Sequence, residues 1–252
     1  MQSYKTLRDF SKILALFNDL EVEALGVTEI SKSLQMTPSK VSRMLGTLER
    51  EGLFERHAET GKYQLGVFFF ELGLVSAHHF PLHKIVRPHL EQMAEETKLT
   101  ASCAILKNNR VIVIDRVQAF KAELLTHSIG LNLPIHSTAT GKILLAYCSE
   151  AEQEEILYSK DLIRFTDTTA VEPELIKTNL EVFRQNGYAT DKGETHQDFS
   201  CIAAPVWNSA GKVIAAINLM GEKRQASLEA LLAYADYLKQ KALFISRQLG
   251  YQ

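Results

Sequence analysis

The sequence predicts an α+β protein in two parts, a helical segment closed by one hairpin and a larger segment of mixed strands and helices. Three observations carry this. Apolar residues recur at helical spacing, with capping signals, up to Gly52; two short strand-like runs then flank Gly61; and after Thr100 short strands alternate with helices. At 252 residues the chain is near the upper limit of a single core, which favours two domains. With 46% hydrophobic and 23% charged residues and a formal net charge of -2, the composition is that of an ordinary globular protein and excludes disorder as the main state.

Leu7, Phe10, Ile13, Leu14 and Phe17 form the stripe of a first amphipathic helix, and residues 20–26 are a polar break. Thr28 is expected to N-cap a short second helix that carries Ile30 and Leu34 on one face. Thr37-Pro38 places a capping hydroxyl before a proline at the first helical position, where the missing N–H costs nothing. A third helix therefore starts there, turns Val41, Met44, Leu45 and Leu48 inward, and stops at Gly52. Residues 53–56 and 62–65 flank a polar loop ending in Gly61 and read as a β-hairpin.

Three short helices and a hairpin are the order of a winged helix-turn-helix, whose third helix enters a DNA major groove with the hairpin as a wing. The outward face of that helix carries Ser39, Lys40, Ser42, Arg43 and Thr47, and Thr28 and Thr37 stand at the helix starts. Hydroxyls and helix N-termini donate to phosphates, arginine reaches guanine edges, and lysine serves either purpose. The same face would also suit the solvated side of a small helical domain. Residues 1–75 hold nine Lys/Arg against ten Asp/Glu, a net of −1, so the basic footprint is local and Glu49, Glu51 and Glu55 must face away from phosphate. A module so weakly basic needs a second copy to double its contacts.

Residues 66–81 form an apolar, helix-capable connector with Phe68, Phe69, Leu72 and Val75, which favours a partner surface. Pro81 ends this helix or opens the next, whose stripe is Ile85, Leu90 and Met93, up to Thr97. Strands are expected at 101–106, 111–117 and 123–128, with 107–110 as a tight turn. Helices follow at 138–147, 152–158 and 174–186, strands at 201–206 and 213–220, and one long helix from Ser227 to Leu249. This pattern is a mixed α/β sheet with helices on one or both faces.

Several chemistries are excluded or weakened. There is no glycine-rich dinucleotide turn, and Gly141-Lys142 is not a phosphate loop, because Ile143 follows where Ser or Thr is needed. His79 and His83 have metal-ligand spacing, with His78 beside them, but Pro81 intervenes, so no metal and no cofactor is expected. Cys201 with His196 or His136 would allow a nucleophilic enzyme, yet nothing marks a thiolate-stabilising environment, and a buried structural cysteine is favoured. Three widely spaced cysteines fit a reducing cytoplasm. No signal peptide is visible, and the most apolar stretch, 67–75, is interrupted by Glu71 and far shorter than the ~20 residues of a membrane helix.

The ordered motifs Thr28-Glu29-Ile30-Ser31, Thr37-Pro38-Ser39-Lys40-Val41-Ser42-Arg43-Met44-Leu45, Thr47-Leu48-Glu49-Arg50-Glu51-Gly52, Tyr63-Gln64-Leu65-Gly66 and Glu71-Leu72-Gly73 resemble the N-terminal half of the IclR family of bacterial transcription regulators. The C-terminal motifs Leu133-Pro134-Ile135-His136-Ser137-Thr138-Ala139-Thr140-Gly141-Lys142, Gly187-Tyr188-Ala189-Thr190-Asp191 and Cys201-Ile202-Ala203-Ala204-Pro205-Val206 resemble that family's effector domain. The resemblance spans nearly the whole chain. It implies a winged-helix DNA-binding domain over 1–66, a linker helix over 67–81 and a GAF-like effector and oligomerisation domain over 82–252.

By that resemblance the chain is not an enzyme but a regulator, expected to be a repressor, of a palindromic double-stranded operator. It would act as a homodimer or dimer of dimers under a small, carboxylate-bearing effector. The implied effector site comprises Ala139, Thr140 and Gly141 at a helix start, Leu125 and Leu133 on the apolar side, Asp191 and Cys201 at the polar end, and Asn218 and Met220 where many relatives carry serines. Asn218 and Met220 would suit a ligand larger than a two- or three-carbon acid. Asp198 stands where relatives usually show glycine. The alternatives are the Cys201 enzyme and a ligand-responsive scaffold without DNA binding.

Overall fold

The computed structural model describes residues 4–18, 22–118, 129–158, 162–224 and 226–252. The chain divides into two compact units, Met1–Phe80 and Pro81–Gln252. Among the described residues no helix is long and apolar enough to cross a membrane.

The first unit contains α1 (Lys5–Leu16), α2 (Val27–Leu34), α3 (Pro38–Arg50), the hairpin β1 (Phe54–Arg56) and β2 (Tyr63–Leu65), and α4 (Val67–His79). Ile13, Phe17, Ile30, Val41, Leu45, Phe54 and Tyr63 make its core, while Leu7 of the expected stripe is exposed. Thr37 N-caps α3 with Pro38 behind it, although its hydroxyl makes no capping hydrogen bond. The other end closes as expected: Gly52 has φ +73, and the Leu53 N–H donates back to the Leu48 carbonyl at 2.9 Å, the pattern that glycine permits after a helix. The hairpin pairs Phe54 with Leu65 and Arg56 with Tyr63, and Leu25 adds a bridge to Tyr63.

One start differs from the expectation. α2 begins at Val27 with Gly26 as its N-cap, because the Glu29 carboxylate reaches back to accept the Gly26 N–H; Thr28 lies inside the first turn.

Among the described residues, the second unit holds a six-stranded antiparallel sheet in the order β5-β4-β3-β8-β7-β6. Its strands are β3 (Thr100–Lys107), β4 (Arg110–Val117), β5 (Asn132–Leu133), β6 (Ala189–Asp191), β7 (Phe199–Trp207) and β8 (Val213–Glu222). Both faces are covered, so the central strands are buried almost end to end. One face packs Ala101, Cys103, Ile202, Ala204, Ile217 and Leu219 against α5 (Pro81–Thr97), α9 (Leu228–Leu232) and α10 (Ala235–Gln248). The other packs Ala104, Val113, Cys201, Ala203, Ala216 and Met220 against α6 (Ala139–Ala146). Behind α6 lie α7 (Glu150–Tyr158) and α8 (Pro173–Asn186), joined by Leu145, Ile156, Leu157, Ile176 and Leu180. At the end of β7, the Trp207 ring stacks on Tyr251 with centroids 5.5 Å apart and meets the edge of Tyr147, the residue that closes α6.

The long helix expected from Ser227 to Leu249 is broken into α9 and α10 at Ala233-Tyr234, and no proline or glycine marks the break. The strand expected at 123–128 lies outside the described residues.

Candidate functional site

The first candidate surface is the outward side of α3. Val41 and Leu45 anchor the helix in the core, which leaves Ser39, Ser42, Arg43 and Thr47 exposed along the opposite side. Thr37 and Thr28 are also exposed, at the first turns of α3 and α2. Among the described residues Arg43 has neither a side-chain hydrogen bond nor an ion pair, so its guanidinium is uncommitted. Thr47 is partly engaged, donating to the Arg43 carbonyl at 3.0 Å. Lys40 differs from the free cation expected: its ammonium is bound by the buried carboxylate of Asp9 on α1, which holds that carboxyl below its usual range.

The acidic residues near this surface are restrained. Glu49 pairs with Arg56 at 3.2 Å, and Arg56 also donates to the Tyr63 hydroxyl at 2.6 Å, so one wing cation is used within the fold. Glu55 accepts the N–H of Val67 at 3.2 Å, tying β1 to the start of α4.

The second candidate site lies where α6 begins against the sheet. Thr138 caps this helix by accepting the Gly141 N–H at 3.0 Å, and every residue of α6 is buried. Gly141 is required by close approach, since a Cβ there would stand 2.5 Å from the Ile135 carbonyl oxygen. The sheet below presents Asp191, Cys201 and Met220 in register on neighbouring strands. Leu133 and Met220 belong to the apolar cluster of this face. Leu125 lies outside the described residues.

The polar part of this site is more elaborate than the sequence reading foresaw. Lys142, 4% exposed, extends from α6 to an ion pair with Glu194 and lies over the Phe183 ring. Asp191 accepts the Glu194 N–H at 2.7 Å, so the lysine and both carboxylates form one buried cluster. Burial pushes the carboxyls of Asp191 and Glu194 upward against the opposing pull of Lys142. Thr195 donates to Ser137 at 3.1 Å, which ties this loop to the segment before α6. The signal for Lys142 was present in the sequence, as a lone cation in the otherwise apolar run of α6. Asn218 is engaged on both sides: its Oδ1 accepts from Ser102 at 2.7 Å and its Nδ2 donates to Thr140 at 3.1 Å.

Cys201 is not placed as a nucleophile. It is buried, and desolvation raises its thiol well above the ordinary range, the reverse of thiolate activation. His196 instead faces Phe199, and its Nδ1 accepts from the Asp198 N–H at 3.3 Å. His136 donates from Nε2 to the Ile163 carbonyl at 2.9 Å and stacks on Phe165. His79 ends α4 while His83 sits in α5 with Nε2 3.4 Å from Asp115, so the two do not share one helix face. Among the described residues no cluster of His, Cys, Asp and Glu could hold a metal.

Comparison with known proteins places both units. The profile described as bacterial transcriptional regulator IclR C-terminal matches residues 75–247, and the IclR helix-turn-helix domain profile matches residues 11–58. The HTH-type transcriptional regulator XynR of Escherichia coli (strain K12) is 32% identical over 240 residues, covering 95% of each chain. A crystal structure of an IclR transcriptional regulator from Alicyclobacillus acidocaldarius superposes with a TM-score of 0.85 at 25% identity, over 99% of this chain and 100% of that one. An IclR homologue from Microbacterium hydrocarbonoxydans, solved in complex with 4-hydroxybenzoate, has a TM-score of 0.81 at 25% identity, over 97% of this chain and 99% of that one.

Proposed function

Because this chain belongs to the IclR family of bacterial transcriptional regulators, with a DNA-binding helix-turn-helix domain and an effector domain, we propose that it represses transcription from a palindromic operator and is released by a small carboxylic acid. The observation that carries the DNA side is the exposed polar face of α3, with Ser39, Ser42 and the uncommitted Arg43 set on a buried Val41–Leu45 spine. In this reading Arg43 meets base edges, while Thr28, Thr37, Ser39, Ser42 and Thr47 meet phosphates. Lys40 contributes charge from its place beside Asp9.

The working unit in this reading is a homodimer or a dimer of dimers. Its support is α4, which is mostly apolar and exposes Val67, Phe70 and Leu74 along one stripe at 57% or more. The linker role read for residues 67–81 has its support in α4, which covers Val67–His79 of that stretch.

The effector is taken up between the first turn of α6 (Ala139, Thr140, Gly141) and the sheet residues Leu133, Asp191, Cys201, Asn218 and Met220. A helix start favours a carboxylate there. Asp191, whose carboxyl burial pushes upward, stands at the polar end of this site. Occupancy acts only through its different affinity for the DNA-binding and released arrangements. No catalytic role is assigned to Cys201, and the protein works in the cytoplasm.

The test is selection of genomic DNA fragments by the purified protein at near-physiological salt, followed by sequencing. Recovery of a discrete palindrome supports the reading. Weak, salt-sensitive, sequence-blind retention overturns it.

A further inference from the structure

The two central strands separate at one end of the sheet. β3 and β8 pair from Thr100–Met220 as far as Ala104–Ala216 and no further, whereas each continues with its hairpin partner, β3 to Lys107–Arg110 and β8 to Trp207–Val213. Both hairpins carry a register shift near the parting, at Cys103/Ala104 and at Val206/Trp207. Burial lapses at the same place: both strands are buried through their paired stretch, but Leu106, Val213 and Ile214 are only half-buried. Between the turns at 107–109 and 211–212 this leaves a cleft of about 660 Å³, floored on the α6 side by Leu106, Val213, Leu144, Tyr147 and Ile156. Such a volume and an apolar floor are those of a small-molecule site.

The rim of the cleft is biased towards anions. Lys107 and Lys212 stand on it, both exposed. Among the described residues Lys107 has no side-chain hydrogen bond or ion pair, and Lys212 has only the field of Glu152. The negative groups nearby are committed within the fold. Glu152, the one acid of the lining, accepts from the Ser149 N–H at 2.9 Å and the Ser149 hydroxyl at 2.7 Å, and the neighbouring Glu155 accepts from Asn109 at 3.1 Å. The carbonyls that end α6, which would repel an anion, are also engaged: Leu145 accepts from Gln153 and Ala146 from Arg184, each at 2.9 Å.

We propose that this cleft, at the opposite end of α6 from Thr140 and Gly141, is a second small-molecule site that takes a carboxylate with an apolar body of about eight carbons. The body lies on the floor, and the carboxylate stays at the wet rim between Lys107 and Lys212, where it keeps its hydration. The assignment stands apart from the reading of the α6 start as the effector site.

The experiment is calorimetric titration of the full chain with butyrate, hexanoate and octanoate, and with 1-octanol as the neutral counterpart. Affinity is expected to rise about three- to fourfold with each added methylene, as the floor is covered. K107A/K212A should weaken octanoate about fivefold or more and leave octanol unchanged. V213W, which fills the floor with a residue that strands accept, should abolish binding of both. D191N, altered at the other site, should bind octanoate with the parent's affinity. If thermal melts show V213W to be misfolded, K107A/K212A decides alone, since both lysines are exposed. No octanoate binding by the parent, octanoate bound no more tightly than butyrate, or equal octanoate affinity in the parent and K107A/K212A each overturns the proposal. Loss of octanoate binding in D191N also overturns it, because the acid would then sit at the start of α6.

Discussion

Asp9 on α1 holds the ammonium of Lys40 on α3, so one of the two cations near the start of α3 also fastens the two helices together. Arg43, one turn further along, has no such duty. The two substitutions should therefore separate. Arg43→Ala is expected to weaken binding to the selected operator by about tenfold or more with an unchanged melting temperature. Lys40→Ala is expected to lower both affinity and melting temperature. Fluorescence anisotropy with a labelled operator, paired with thermal melts, checks this; unchanged affinity for both variants removes α3 from the DNA.

Lys142 is buried and faces two carboxylates. Lys142→Met would leave that negative charge uncompensated in the interior, and is expected to destabilise the protein by ~3–5 kcal/mol. Chemical denaturation measures it. A loss below ~1 kcal/mol would mean that water reaches the cluster and screens it.

Asp191 gives a pH signature. Its folded carboxyl titrates above the unfolded value of about 3.9, so between the two values the folded chain holds more protons than the unfolded one. Its contribution to stability therefore falls as pH rises through that window and is flat above it. Asp191→Asn keeps the acceptor for the Glu194 N–H, removes this component of the slope, and should raise the neutral-pH melting temperature by about 2–4 °C. The same variant should lose its calorimetric response to short acids. A melting temperature that falls at neutral pH would show that the ionised carboxylate stabilises the fold.

Gly141 leaves no room for a side chain. Gly141→Ala forces Ile135 and α6 apart and is expected to cost about 3 kcal/mol, the upper end for overpacking, because the obstacle is backbone. Denaturation of the purified variant reads this directly.

Phe70 and Leu74 lie one turn apart on α4, 66% and 57% exposed. Phe70→Glu with Leu74→Glu is expected to abolish self-association in sedimentation velocity and to reduce operator affinity with it. Unchanged mass and affinity would assign the contact between copies to another surface.

Much of the architecture was legible because it depends on local signals. Thr37-Pro38 and Gly52 bracketed α3 correctly, and the runs around Gly61 marked the hairpin. The start of α2 was misplaced because Gly26 has no side chain to advertise a cap, and the Glu29 carboxylate does the capping from inside the helix. The two short strands β5 and β6 were missed, since two and three residues are too few to show alternation. For the site, spacing alone could not reveal that Lys142 meets Glu194 or that Ser102 meets Asn218. These pairs are 52 and 116 residues apart and are brought together by the order of the strands.

Trp207 is the one tryptophan of the chain, stacked on Tyr251 and touched by Tyr147 where α6 ends. The molecule thus carries an intrinsic optical probe at the far end of the helix whose opposite end is the candidate effector site. Any displacement of α6 along its axis would change the aromatic surroundings of that indole, so occupancy could be followed by ultraviolet emission on unlabelled protein while it is still bound to DNA.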